Sequence, residues 1–155
     1  MNKKPARTLL VLSALVMALV VSPAAVSYPN GIQGVKDSGC NCHGAVTSSE
    51  VVPSITGLPD QYNYSETYEI TVSFVGGPSD PSNINQGGFN LWVSDGELTP
   101  SDATVQSYSV NEVSHTEAGN DQTSWTLTWT SPSSDRNVEF VLHTNSVNGL
   151  SLIHI

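Results

Sequence analysis

Apolar and polar residues alternate along several segments of this chain. In each segment every second side chain is apolar and the residues between are mostly polar, a period of two that predicts a half-buried β-strand. The strongest segments are Tyr68–Phe74, Phe89–Val93, Ser124–Thr130 and Val138–Leu142, and the weaker ones are Glu50–Ile55 and Val105–His115. Trp125 and Trp129 lie on the apolar face of their strand, so we predict that both belong to the core. Trp92 lies opposite Phe89 and Leu91, where it is either exposed or covers the second face of the strand.

Glycine, proline and aspartate separate these segments. Examples are Gly57-Leu58-Pro59-Asp60 and Ser131–Asp135, which are typical of turns. No segment after residue 27 has a convincing helical period. Short alternating strands at this spacing favour an all-β fold, an immunoglobulin-like β-sandwich.

The first 27 residues differ from the rest of the chain. Lys3, Lys4 and Arg7 precede an apolar run, Leu9–Val21, and small residues follow in Ser22–Ser27. This order predicts a secretory signal peptide, residues 1–27, cut after Ala25 or Ser27; an uncleaved anchor is the alternative. The protein is then secreted or extracytoplasmic, and its mature form contains no methionine that could bind a metal.

Charge excludes one class of partner. The whole chain has 14 acidic and 5 basic residues, a formal net charge of −9. Removal of the signal peptide leaves only Lys36 and Arg136 as basic side chains. Nucleic-acid binding is therefore excluded, because phosphate contacts need lysine and arginine. The sequence also lacks a serine-hydrolase elbow, a phosphate loop and a zinc helix with paired histidines, so a hydrolase is disfavoured, and a non-enzymatic module is the leading expectation.

The candidate chemistry is concentrated in Cys40-Asn41-Cys42-His43, which holds both cysteines of the chain. A Cys40–Cys42 disulfide is one interpretation, although α-carbons two residues apart in an extended segment are about 6.6 Å apart, near the upper limit for a bridge. A copper or zinc site is the second, completed by His115 or another distant group. Covalent haem c is the third, with His43 on the iron, although the spacing is one residue shorter than Cys-x-x-Cys-His.

Several further motifs accompany this cluster, and together they resemble a known family. The matching segments are Gly39–Gly44, Gly57–Pro59, Tyr68–Val72, Gly87–Gly96, Glu112–Thr116, Ser124-Trp125, Trp129–Pro132 and Asn145–Gly149. In combination they are similar to the prokaryotic Reeler-like module called the choice-of-anchor V domain, over residues 31–149. The resemblance implies a surface-attached β-sandwich and, because related bacterial members carry Cys-x-x-Cys-His, it favours haem. It also implies His115 as the second axial ligand.

The resemblance suggests an organisation for the whole chain. We expect a Cys/His loop over residues 28–50, a Reeler-like sandwich over residues 51–149 and an atypical, truncated tail over residues 150–155. Family members continue into a linker and an anchor, so membrane attachment is expected only through a C-terminal anchor missing from this chain. His143 lies on a polar strand face and is expected in solvent, and His154 lies in the tail.

Three functions of different classes remain open. The leading one is a cell-surface module whose N-terminal loop binds a redox cofactor, haem c, through Cys40, Cys42, His43 and His115 for extracytoplasmic electron transfer. The second is an adhesion or surface-structural module without a cofactor, and the third is a copper or other metal oxidoreductase with His43 and His115 among the ligands. The redox partner or surface component is not identified by the sequence.

Overall fold

The computed structural model describes residues 28–39, 49–79 and 81–147. The predicted signal peptide, the Cys40–His43 cluster and the predicted tail lie outside these residues. The described part is all-β, with one short 3-10 helix at Glu117–Gly119. Its strands are β1 Val52–Thr56, β2 Thr67–Val75, β3 Gly87–Val93, β4 Glu97–Pro100, β5 Val105–Ser109, β6 Glu112–His115, β7 Ser124–Thr130 and β8 Phe140–Ser146. Within the described ranges no helix is long and apolar enough to cross a membrane.

The strands form two four-stranded antiparallel sheets, which confirms the predicted β-sandwich. The first sheet has the order β1-β2-β7-β4 and the second sheet has the order β5-β6-β3-β8. In the second sheet, β3 lies between β6 and β8, so that Asn90 pairs with Ser114 on one side and with His143 on the other. These three side chains therefore share one face of the second sheet.

The core lies between the inner faces of the two sheets. Trp125 and Trp129 are 1% and 2% exposed, which confirms their predicted burial. Each indole N–H donates a hydrogen bond to a backbone carbonyl. Trp125 donates to Gly119 at 2.8 Å, and Trp129 donates to Asp95 at 3.1 Å. The remaining fully buried apolar side chains of the core include Ile70, Val72, Phe89, Leu91, Val93, Leu98, Val113 and Leu127.

The strands differ most from the sequence prediction in three places. The weak segment Val105–His115 is a hairpin of two strands with a bulge between Ser107 and Ser109. β8 begins at Phe140, two residues later than predicted, although Val138 still packs against the core. β4, Glu97–Pro100, was not predicted, and it pairs with β7 to complete the first sheet.

Candidate functional site

Residues 28–39 form an irregular segment that crosses the outer face of the second sheet; we call it the strap. Its first contacts are with β5. The carbonyl of Asn30 accepts hydrogen bonds from the Gln106 side chain and from the Tyr108 hydroxyl, the latter at 3.0 Å. The Asn30 side chain also accepts a hydrogen bond from the backbone N–H of Glu117 at 3.0 Å. The strap is therefore attached to the β5 side of the sheet by an asparagine.

The middle of the strap lies over β6 and β3. The Asn90 side-chain amide donates to the Ile32 carbonyl at 2.8 Å and to the Glu112 carboxylate at 2.9 Å. The same Glu112 oxygen accepts the backbone N–H of Gly34 at 2.6 Å. Asn90 and Ser114 lie on the outer face, yet both are completely buried. The strap thus covers the centre of a face that would otherwise be open to water.

Gly31 permits this close approach of the strap to β6. Its φ is +69°, and a Cβ atom at this position would lie 2.2 Å from Oγ of Ser114 and 2.7 Å from the carbonyl oxygen of His115. A side chain would therefore be strained by the backbone angle and would also collide with β6. Glycine tolerates the positive φ and has no Cβ atom to collide with β6.

Lys36 attaches the strap to β3 and β8. Its ammonium lies 4.0 Å from the ring centroid of Trp92, a cation–π contact on the outer face. Its backbone carbonyl accepts a hydrogen bond from Nε2 of His143 at 2.9 Å. The uncertainty over Trp92 is resolved, because this half-buried ring covers the second face of its strand and packs under the strap.

The strap ends in a turn beside His143. The backbone N–H of Gly39 donates to the Val35 carbonyl at 2.7 Å, and Gly39 has a φ of +65°. A Cβ atom placed on Gly39 would lie 3.4 Å from Nδ1 of His143. Cys40 is the next residue in the chain. The Cys40–His43 cluster therefore follows directly after a point of the strap that is fixed against β8.

His115 lies on the inner face of the second sheet. Its ring packs against Phe89 and Trp125, at centroid distances of 6.4 Å from each, and is 9% exposed. Nδ1 lies 3.1 Å from the Phe89 backbone nitrogen and 3.2 Å from the Phe89 carbonyl oxygen. The other side of the ring abuts Gly88, where a Cβ atom would be 2.2 Å from Cε1. Burial lowers the pKa of His115, and the hydrogen bond to the Phe89 carbonyl opposes this only in part.

The two histidines thus lie on opposite faces of one sheet. His115, predicted as a ligand, faces the core, whereas the strap that leads to Cys40 lies on the outer face. Its role as a ligand stays a prediction, and in this conformation its Nδ1 lies within hydrogen-bond distance of the Phe89 backbone nitrogen. The prediction that His143 lies on the polar face is confirmed, but the strap half-buries the ring, which is therefore only partly in solvent. Within the described ranges, no three histidine, cysteine, aspartate or glutamate side chains are grouped closely enough to hold a metal ion.

Asn90 shows one further feature of the covered face. Although the residue is 0% exposed, its side-chain oxygen Oδ1 has no hydrogen-bond partner among the described residues. A buried acceptor without a partner costs about 1–3 kcal/mol. The side-chain amide of the same residue makes both contacts to the strap and to Glu112. The contribution of the Asn90 side chain therefore comes from its amide donors, which bind it to the strap and to Glu112.

A separate cleft lies at the Tyr62 end of the sandwich. It has a volume of about 500 Å³ and is lined by Tyr62, Tyr64, Asp60 and Arg136, among others. Arg136 is already engaged by the Asp95 carboxylate at 3.2 Å. None of the lining residues is a cysteine or a histidine. The cleft offers polar contacts but none of the side chains that suit redox metals.

Comparison with known proteins gives a weak structural similarity. No family model and no curated protein matches the chain. Among solved structures, the chain is similar to the Reelin-N domain of F-spondin, with 21% identity, 64% of this chain and 73% of that chain covered, and a TM-score of 0.44. It is also similar to a human F-spondin reeler domain (fragment 1), with 20% identity, 64% and 76% coverage and a TM-score of 0.40. Function has to be inferred from the chain's own residues.

Proposed function

We propose that this protein is a secreted or cell-surface Reeler-like module whose N-terminal loop binds a redox cofactor, covalent haem c, for extracytoplasmic electron transfer. The proposal includes the prokaryotic choice-of-anchor V character suggested by the sequence motifs. It treats the sandwich as a scaffold and the Cys40–His43 cluster as the site. No catalytic residue is part of the proposal.

The observation that carries the proposal is the strap. Hydrogen bonds with residues of β5, β6, β3 and β8 hold it across the second sheet, and its last described residue, Gly39, directly precedes Cys40 in the sequence. A cofactor site needs ligands held by a rigid support. A flexible leader would not be expected to make hydrogen bonds with every strand of a sheet, as this segment does.

The donor set of the cluster fits the cofactor. Cys40 and Cys42 supply thiols for thioether bonds to the porphyrin, and His43 supplies an imidazole for the iron. Cys42 is the expected thioether because it adjoins His43. The family resemblance also implies His115 as a ligand, although its ring lies on the core side of the second sheet, against Phe89 and Trp125. When bound, haem supplies one-electron transfer, and the protein's part is to ligate it and to set the polarity around it.

Intact mass and absorption test this function. The protein is exported from a host that has a haem-attachment system, and its mass is then measured under denaturing conditions. We expect a Soret band and a covalent mass increment of one haem. Cys42→Ala and His43→Ala should abolish incorporation, whereas Cys40→Ala is the matched control that retains a single thioether.

Two other results would replace the proposal. An unmodified mass together with bound copper or zinc would support the metal oxidoreductase. A quantitative Cys40–Cys42 disulfide without metal would support an adhesion or surface-structural module. Each result is a different mass, so one sample distinguishes all three.

A further inference from the structure

We infer that the cleft at the Tyr62 end of the sandwich binds a neutral saccharide, with Tyr64 as the ring that stacks on the sugar. The inference goes beyond the proposed function and does not depend on the Cys40–His43 cluster. Three properties of the cleft carry it. Its walls are joined by hydrogen bonds, its polar side chains are free to bind a ligand, and it contains an exposed aromatic ring.

The loop before β2 and the loop between β7 and β8 form the walls of the cleft. The Tyr62 hydroxyl accepts a hydrogen bond from the backbone N–H of Arg136 at 2.8 Å and donates to the Ser134 carbonyl at 3.0 Å. Nearby, the backbone N–H of Ser65 donates to the Pro132 carbonyl at 3.1 Å. A site whose walls are already in place loses less conformational entropy when a ligand binds. The cleft is therefore preorganised.

Four polar side chains line this cleft without a hydrogen bond or ion pair to any other described residue. They are two carboxylates and two amides: Asp60, Asp135, Gln61 and Asn137. A carboxylate accepts hydrogen bonds, and an amide both donates and accepts them. A sugar hydroxyl also does both, and its hydrogen bond to a carboxylate is stronger than one between neutral groups. Together these side chains can bind several hydroxyls of one sugar.

The exposed aromatic ring of the cleft is that of Tyr64. This residue is 59% exposed and lines the same cleft as the free polar side chains. The Tyr62 ring packs edge-on against Trp129 at a centroid distance of 5.5 Å, and it lies 6.3 Å from the Tyr64 ring. The C–H groups on one face of a sugar are apolar, whereas its hydroxyls point outward from the ring. An aromatic ring beside polar groups fits both parts of such a ligand.

The size of the cleft favours more than one sugar unit. The space of about 500 Å³ beside Tyr64 is within the usual range for ligand sites, about 300–1,000 Å³. A second space of about 330 Å³ shares lining residues with it, including Asp60 and Tyr62, and is lined in part by Trp129 and Phe140. The shared residues make the two spaces neighbours. The ligand is therefore inferred to be an oligosaccharide or a polysaccharide segment.

Charge determines which saccharides fit. Arg136 is paired with Asp95 at 3.2 Å, which leaves Asp60 and Asp135 as carboxylates of the cleft without a cation among the described residues. Uronates and sulfated sugars would be repelled by these carboxylates. A cation would be attracted, but an ion pair exposed to water contributes little to affinity and would leave the two amides unused. A neutral sugar uses all of these groups.

Titration calorimetry of the mature protein tests the inference. The neutral probes are cellohexaose, mannohexaose, maltohexaose and N-acetylchitohexaose, the anionic probe is hexagalacturonate, and the cationic probe is a chitosan hexamer. We expect at least one neutral probe to bind with a dissociation constant below about 1 mM. Its binding should persist in about 1 M sodium chloride, which screens exposed charges. Hexagalacturonate should not bind.

Variants locate the binding site. Tyr64→Ala should weaken binding of the neutral probe at least tenfold, because the stacking surface is lost, whereas Tyr64→Phe should retain it. Asp60→Ala should weaken binding at least threefold. Tyr28→Ala is the matched control, since Tyr28 is 53% exposed but lies in the strap, outside the cleft. If a variant does not fold, the ring signals of Tyr64 in NMR spectra of the wild type should shift when the probe is added.

Three results would overturn the inference. The first is a wild type that binds none of the neutral probes, and the second is an equal loss of affinity in Tyr64→Ala and Tyr28→Ala. The third is binding of the chitosan hexamer alone, abolished by salt, which would make the cleft a site for cations. None of these results concerns haem attachment, which is measured by mass. The proposed function is therefore tested separately.

Discussion

The two faces of the second sheet are built on different principles. The inner face, which includes Phe89, Leu91 and Val113, is apolar and packs against Trp125 and the rest of the core. The outer face has Asn90 at its centre, fully buried but polar, and binds the strap through hydrogen bonds. Apolar packing tolerates small shifts, whereas hydrogen bonds fix direction and distance. The inner face therefore contributes most to the stability of the fold, and the outer face fixes the position of the strap.

The largest expected difference between the faces is in the free energy of unfolding. Trp125→Ala removes an aromatic ring that is 1% exposed and should cost about 3–5 kcal/mol. Trp92→Ala, on the outer face, removes a half-buried ring and a cation–π contact and should cost about 1 kcal/mol. Urea unfolding measures both. Equal losses would mean that the strap face contributes as much to stability as the core.

A glycine pair tests whether the strap is held closely. Gly31→Ala adds a Cβ that would collide with Ser114, and it should cost about 2–4 kcal/mol from backbone strain and overpacking together. Gly34→Ala is the matched control, since Gly34 has a similar φ of +72° but nothing within 4 Å of its Cβ, and it should cost about 1 kcal/mol. Limited proteolysis should release the strap from Gly31→Ala alone. Equal behaviour of the two variants would contradict the close contact with β6.

The smallest expected effect is a pH dependence that belongs to the inner face. Burial lowers the pKa of His115 below its ordinary 6.5, so the unfolded chain takes up a proton before the folded protein does. The stability should therefore be full above about pH 6.5 and should fall as the pH is lowered further. Asp102 does not interfere near pH 5, because a hydrogen bond from Thr104 lowers its pKa below 3.8. The free energy of unfolding, measured in urea at pH 7.5 and at pH 5, gives the loss of stability.

His115→Gln supplies the control for this effect. The variant should be less stable at pH 7.5 but should show a smaller change between the two pH values. The aromatic neighbours of His115 in the core, Phe89 and Trp125, are uncharged. They therefore add nothing to the pH dependence of the stability. If the free energy of unfolding changes with pH in the variant as much as in the wild type, another group is responsible for the pH dependence.

The sequence predicted the inner face well, since local alternation determines it. The alternation of apolar and polar residues identifies the buried face in Ser124–Thr130 and in Tyr68–Phe74. Both segments form strands with that face in the core. β4 was missed because Glu97–Pro100 is short, ends in proline and has a single buried residue, Leu98. A pattern of this length does not distinguish a strand from a turn.

The outer face could not be predicted in the same way. Alternation correctly places His143 and Asn90 opposite the apolar side, and in an antiparallel sheet that side usually meets water. What covers it here is a segment whose contacts are made mainly by its backbone groups, at Asn30, Ile32, Gly34 and Lys36. Backbone groups are common to all residues, so no sequence pattern marks them. The motif at Cys40–His43 was visible in the sequence, whereas the contact between Lys36 and His143 was not.

The hydrogen bond between Lys36 and His143 joins residues 107 positions apart. Lys36 is made early in translation, and β8 is the last strand of the sandwich to be made. During synthesis Cys40 and Cys42 therefore emerge before β8 does. The strap can therefore make its contact with β8 only after the whole sequence of the sandwich has been made.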